Sequence, residues 1–232
     1  MKKLAVFVEG YTELQFVDRI IEEVAGARHV LIEHRRIIGG AATPRKIQLV
    51  KAARRASGEQ YYVLIVDCSG DEQVKTRIRE EHASLTRNNY DRIVGIRDVR
   101  PRFSHADIPR LEAALPRYIK TSLISVEWVL SIMEIEAWFI SEYTHFPRID
   151  ASITVEAIRN ALGFDPEHGD MSQRGNPAAD LNACYRLGGR TSSKTNAGVT
   201  VAALDYDFIY VELRNRIPYL EKLLRIFDDF LQ

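Results

Sequence analysis

Cysteine is nearly absent from this chain: Cys68 and Cys184 are the two in 232 residues, far apart and without a CxxC partner. That argues against a disulfide framework and a zinc site, and it fits a reducing cytoplasm. No apolar run approaches the ~20 residues that cross a bilayer, so no membrane span is expected. Lys2-Lys3 is followed by only five apolar residues before Glu9, and no signal peptide is expected. Net charge is missing too. Lys plus Arg equals Asp plus Glu at 32 each. This balance argues against a general nucleic-acid coat, but it leaves room for a local basic face opposite an acidic pocket. His29, His34, His82, His105, His145 and His168 show no ligand spacing, with His105 the one mild candidate. Gly39-Gly40-Ala41-Ala42-Thr43-Pro44 lacks the Gly-Lys-Ser/Thr ending of a phosphate loop, which argues against intrinsic ATPase activity. There is no internal repeat and no low-complexity tail.

What is present is a globular composition, 46% hydrophobic and 28% charged. Leu4 to Val8 reads as a first strand that stops at Glu9-Gly10. Tyr11 to Val24 reads as a helix, with Leu14, Val17, Ile20, Ile21 and Val24 on one stripe and Thr12 as a cap. Val30 to Ile38 is a second strand. Thr43-Pro44 reads as an N-cap with Pro at the first helical position, opening a helix to about Ala56. Tyr61 to Val66 is the run expected of a strand buried on both faces, and it ends at Asp67. A helix over 72–85, a strand over 92–99, a helix over 108–119 and a strand over 126–133 follow. This order predicts an α/β fold, a mostly parallel sheet flanked by helices. After Trp138 helical fragments alternate with polar loops: helices over 155–162 and 177–187, a basic loop over 190–195, and closing helices over 201–232 interrupted at Pro218. The expected division is an α/β domain over 1–145 and a helical C-terminal extension over 146–232 packed on it. Trp128 and Trp138 are expected in the core.

Carboxylates gather at or just past the expected strand ends: Glu9 and Glu13, Asp67 and Asp71, Asp98, and Glu134 and Glu136. In a parallel sheet all carboxyl ends lie on one edge, where α/β folds keep their chemistry. Carboxylates held close repel one another, and a hard divalent cation with oxygen ligands, Mg²⁺ or Mn²⁺, offsets this. Such an ion clamps a phosphodiester and activates water. The competing explanation is that each acid caps a helix or pairs with a nearby Arg. That explanation is strong for Asp98, beside Arg97, Arg100 and Arg102, and weaker for Asp67. Glu134 and Glu136 share a face if the chain there is extended. Arg35, Arg36, Lys46, Lys51, Arg54 and Arg55 form a candidate basic face, and a solvated charge face is the commoner explanation. Arg190 and Lys194 are better candidates for phosphate contact.

Val8-Glu9-Gly10-Tyr11-Thr12-Glu13 and Val66-Asp67-Cys68-Ser69-Gly70-Asp71 resemble the two motifs of a TOPRIM domain, the metal-binding fold of topoisomerases, primases and several nuclease families. The resemblance implies that Glu9 is a general acid/base or metal ligand and that Asp67 holds Mg²⁺. The usual second motif is Asp-x-Asp, and here Ser69 stands at its second acid. Asp71 or Asp98 would then substitute. Glu134-Ile135-Glu136-Ala137-Trp138-Phe139, Lys194 and the block from Leu213 to Leu223 resemble a family of small TOPRIM-like proteins. The resemblance implies antiphage defence beside an ATPase partner of the overcoming-lysogenization-defect kind.

The first expectation is therefore a Mg²⁺- or Mn²⁺-dependent nuclease of DNA or RNA. Glu9 acts as base or metal ligand, Asp67 and Asp71 hold the metal with Glu13 in support, Glu134 and Glu136 bind a second ion, and Lys194 steadies the phosphate. The alternative is a drifted TOPRIM-like sensor or interaction module, seen as a homodimer or with a partner protein.

Overall fold

The computed structural model describes residues 1–39, 43–53, 58–70 and 73–232. Its strands are β1 (Lys2–Val8), β2 (Val30–Ile38), β3 (Lys46–Lys51), β4 (Tyr61–Asp67), β5 (Arg92–Asp98) and β6 (Val126–Ser131). Its α-helices are α1 (Tyr11–Ala25), α2 (Gln73–Arg87), α3 (Ile108–Ala114), α4 (Glu136–Ser141), α5 (Phe146–Ile149), α6 (Val155–Leu162), α7 (Pro177–Leu187), α8 (Ala197–Ala203), α9 (Tyr206–Val211) and α10 (Pro218–Phe230). Two compact units form. The first comprises 1–97, 107–130 and 225–232; the second comprises 98–106 and 131–224.

The six strands make one sheet in the order β3-β2-β4-β1-β5-β6. β1 pairs in parallel with β4 and β5, and β2 in parallel with β4. The apolar run Leu4 to Val8 is fully buried at the centre of this sheet. Strand alternation sends His34 and Arg35 to opposite faces. His34 pairs with Asp18 of α1 at 3.0 Å. Arg35 lines a cavity with Leu85 of α2. So α1 and α2 cover opposite faces. Gly95 is where Trp128 lies against β5, since a Cβ there would sit 2.5 Å from the indole.

One expected helix is a strand. Lys46–Lys51 pairs antiparallel with β2, and Gly39, just after β2, takes φ +81. Lys-Ile-Gln-Leu-Val-Lys is mostly exposed, and pairing with β2 rather than local pattern outweighs the Thr43-Pro44 signal. Ile47 and Leu49 on this edge strand are 56% and 55% exposed. Arg54 and Arg55, expected on the same helix face as Lys51, lie outside the described residues. Two boundaries also move. α3 stops at Ala114 because Pro116 follows closely, and Pro218 opens α10 rather than interrupting a helix.

In the second unit local capping decides the helices. Thr154 accepts from Ala157 N before α6, and Asn176 accepts from Ala179 N before α7, where Pro177 occupies the first position. Glu142 is fully buried here. Its carboxylate accepts from Thr144 N (3.0 Å), the Thr144 hydroxyl and Asp205 N (3.2 Å), and His145 Nδ1 lies 3.2 Å away. Among the described residues no helix is long and apolar enough to cross a membrane.

Asp18 supplies a pH test of the first unit. Burial raises its pKa, but the His34 imidazole 3.0 Å away and the hydrogen bond from Lys51 (2.9 Å) outweigh this and hold it below its ordinary value. A depressed acid contributes stability that is whole above its unfolded pKa and lost as pH falls through the folded one. Urea midpoints measured from neutral pH into the acid range are expected to fall less steeply in Asp18→Asn than in wild type. Parallel curves would contradict the assignment.

Candidate functional site

The first unit brings two of the expected acids to adjacent strand ends. β1 and β4 run in register to Val8↔Asp67, so Glu9 follows one strand just as Asp67 closes its neighbour. Cys68 N donates to Val8 O and Gly70 N donates to Glu9 O, both at 2.9 Å, which ties the two turns together. Glu9 is 5% exposed and Asp67 2%. Glu13 is also buried, in the first turn of α1. Gly10, not Thr12, is the N-cap residue, and its missing side chain is used by Glu13: a Cβ on Gly10 would lie 3.3 Å from Glu13 Oε2.

Each of the two edge carboxylates faces a guanidinium. Arg36 Nε donates to Asp67 Oδ2 at 2.6 Å, from the position opposite Asp67 in the β2–β4 register. Arg36 also lies over the Tyr11 ring at 5.7 Å. Arg97 Nε lies 3.8 Å from Glu9 Oε1. The sequence suggested Arg36 for a solvent-facing basic surface; the register with β4 turns it onto Asp67 instead. Arg97, read as a partner of Asp98, was missed as a partner of Glu9, and the signal was its place on β5 beside β1.

Asp67 Oδ1 accepts from Ser69 N at 2.8 Å, closing a tight turn in which Ser69 takes φ +55. A serine in this left-handed region is strained. Asp71 lies outside the described residues. Cys68 is buried, and burial first, then the Asp67 charge, pushes its thiol well above its usual pKa. Cys184 is pushed up to about 12 by burial. Both thiols therefore stay protonated at neutral pH, which removes them as nucleophiles.

The remaining expected residues belong to the second unit. Asp98 ends β5. Glu134 and Glu136 do not share an extended face, because β6 ends at Ser131, Ile135 already has helical backbone angles and Glu136 begins α4. Glu134 Oε2 instead accepts from Ala178 N at the start of α7, and its Oε1 lies 4.0 Å from Arg100. Lys194 is exposed and opens a short 3-10 turn. His105 Nε2 lies 2.5 Å from Ser172 O, a structural contact.

One cluster was not anticipated. Asp165, Glu167 and His168 place ligand atoms within 4.8 Å of one another, the grouping of this kind found among the described residues. Arg159 Nη2 already lies 2.8 Å from Asp165, 3.1 Å from Glu167 and 3.2 Å from His168. A guanidinium thus occupies the position a cation would take. Separately, a cavity of about 740 Å³ opens over the α2 face of the sheet. Its wall includes Phe7, Leu31, Tyr62, Leu64 and Tyr90, while Glu9, Glu13 and Asp67 do not line it.

Compared with protein-family models, with curated proteins and with solved structures, the chain matches none.

Ser69→Gly is expected to relieve the left-handed strain and raise stability by up to about 1 kcal/mol. A thermal unfolding midpoint that falls on this substitution would contradict the strain assignment.

Proposed function

We propose that the chain is a Mg²⁺- or Mn²⁺-dependent phosphodiesterase of DNA or RNA, built on a TOPRIM-like sheet. The observation that supports this reading best is the pair of buried carboxylates, Glu9 and Asp67, on adjacent parallel strand ends. Their chemistry fits a hard cation. The donors are all oxygen, each carboxylate has lone pairs beyond those already used, and Mg²⁺ is commonly held by one or two carboxylates plus water. Glu9 and Asp67 would hold the ion, with Glu13 in support. Once bound, a divalent cation supplies positive charge at the phosphodiester and lowers the pKa of bound water.

The chain's own groups do the rest. Glu9 accepts the proton of the attacking water. Arg97 offsets the negative charge of Glu9, and Arg36 offsets that of Asp67. The reading rests on the first unit alone. The defence setting and an ATPase partner belong to it through the motif resemblance.

A second reading, an interaction module without catalysis, is favoured by the 2.6 Å hydrogen bond that Arg36 makes to Asp67 and by Ser69 at the position of the second acid. Cleavage of labelled single- and double-stranded DNA and bulk tRNA, with Mg²⁺, Mn²⁺ or EDTA, separates the two. The phosphodiesterase reading expects metal-dependent cleavage that Glu9→Gln lowers by at least about a hundredfold while folding is kept. Glu9→Gln cleaving as fast as wild type would overturn the assignment of Glu9. Wild type inert with every substrate and metal would favour the module.

A further inference from the structure

Arg77 is out of place for a charged residue. It lies on the buried stripe of α2 with Val74 and Ile78, and it is 3% exposed. Residues three and four apart on a helix share a face, so this position would ordinarily carry an apolar side chain. Its Nη1 donates to Glu80 Oε2 at 2.9 Å, a carboxylate that also accepts from Arg45. Its Nε is buried and makes no hydrogen bond among the described residues. A buried guanidinium N–H without an acceptor has given up its hydration and gained nothing in return. A sequence that keeps it there leaves room for an acceptor to arrive.

The surroundings say which acceptor. Gly70 N donates to Glu9 O (2.9 Å) and Gln73 N donates to Gly70 O (3.0 Å), which ties the start of α2 to the Glu9 turn, and Arg77 lies one helical turn further along. Arg97, itself buried, lies beside Glu9, and Arg36 lies on Asp67. Arg97 beside Glu9 and Arg77 early in α2 thus stand at one end of the first unit, while Arg36 holds Asp67 from β2. Guanidinium forks match phosphate oxygens in geometry and charge. A phosphodiester presents two non-bridging oxygens of the kind that guanidinium N–H groups bind.

We propose that Arg77 is a phosphate-binding residue: its unpartnered Nε–H, with Arg97, receives a non-bridging oxygen of a phosphodiester at the Glu9–Asp67 edge. The proposal rests on the phosphodiesterase reading for the identity of the ligand and on the buried donor for the site.

The test is anion binding by the full chain in EDTA, so that no cleavage occurs. The probes are inorganic phosphate and, separately, a fluorescent oligothymidylate. Wild type is expected to bind the oligothymidylate saturably. Arg77→Lys, which keeps the charge and removes the fork, is expected to bind about tenfold more weakly. The exposed Arg79→Lys is expected to match wild type. Binding of inorganic phosphate alone, with the same dependence on Arg77, would place a free phosphate rather than a strand at the site and overturn the phosphodiester assignment. Equal oligothymidylate affinity in wild type and Arg77→Lys would overturn the proposal, as would no binding of either probe by wild type. If Arg77→Lys gives no cooperative unfolding transition, the wild-type arginine Nε–Hε NMR spectrum decides. A solvent-protected resonance must shift on adding the oligothymidylate, and an unmoved set of protected resonances overturns the proposal. The two ideas fail separately. Metal-dependent cleavage with Arg77-independent binding sinks this one alone, and Arg77-dependent binding without cleavage sinks the phosphodiesterase alone.

Discussion

The hydrogen-bonded ion pair between Arg36 and Asp67 is the interaction on which the sheet edge depends. Asp67 closes a strand whose run Val63 to Val66 is buried. An uncompensated carboxylate there would cost several kcal/mol. The compensation comes from the neighbouring strand, because parallel pairing sets Arg36 opposite Asp67. Arg97 does the same for Glu9 from β5. The two acids are thus held in place by a register, and the register is set by the apolar runs that build the sheet.

This arrangement changes how the net charge is read. A total of zero does not show which charges are buried together. At one end of the first unit the buried groups are Glu9, Glu13, Asp67, Arg77 and Arg97. In a low-dielectric setting such groups act on one another far more strongly than surface charges do. Buried acids and guanidinia thus sit at the same end of the unit.

Much of the fold was legible in the sequence because period and punctuation agree there. The strand over 30–38 and the helices over 155–162 and 177–187 stand where the pattern predicts them. β3 was misread because Thr43-Pro44 imitates a helix start while the deciding fact is tertiary, the presence of β2 to pair with. The places of Glu9 and Asp67 were legible, since buried strands that end on acids are visible in one dimension. Their partners were not. Arg36 lies 31 positions from Asp67, and only the strand order makes them neighbours. Arg77 was hidden for a different reason: α2 is so rich in charge that one buried arginine does not stand out. Glu134 was read as a ligand because the turn after β6, which sends its carboxylate to the start of α7, leaves no local signal.

The proposed function stands or falls with a divalent cation at the Glu9–Asp67 edge. Titration calorimetry of the full chain with Mn²⁺, wild type against Asp67→Ala, tests it most directly. Wild type is expected to bind Mn²⁺ saturably, and Asp67→Ala is expected to lose that binding while keeping a cooperative unfolding transition, at a midpoint lowered by the loss of the Arg36 pair. No saturable binding by wild type, or the same isotherm for both proteins, would contradict it.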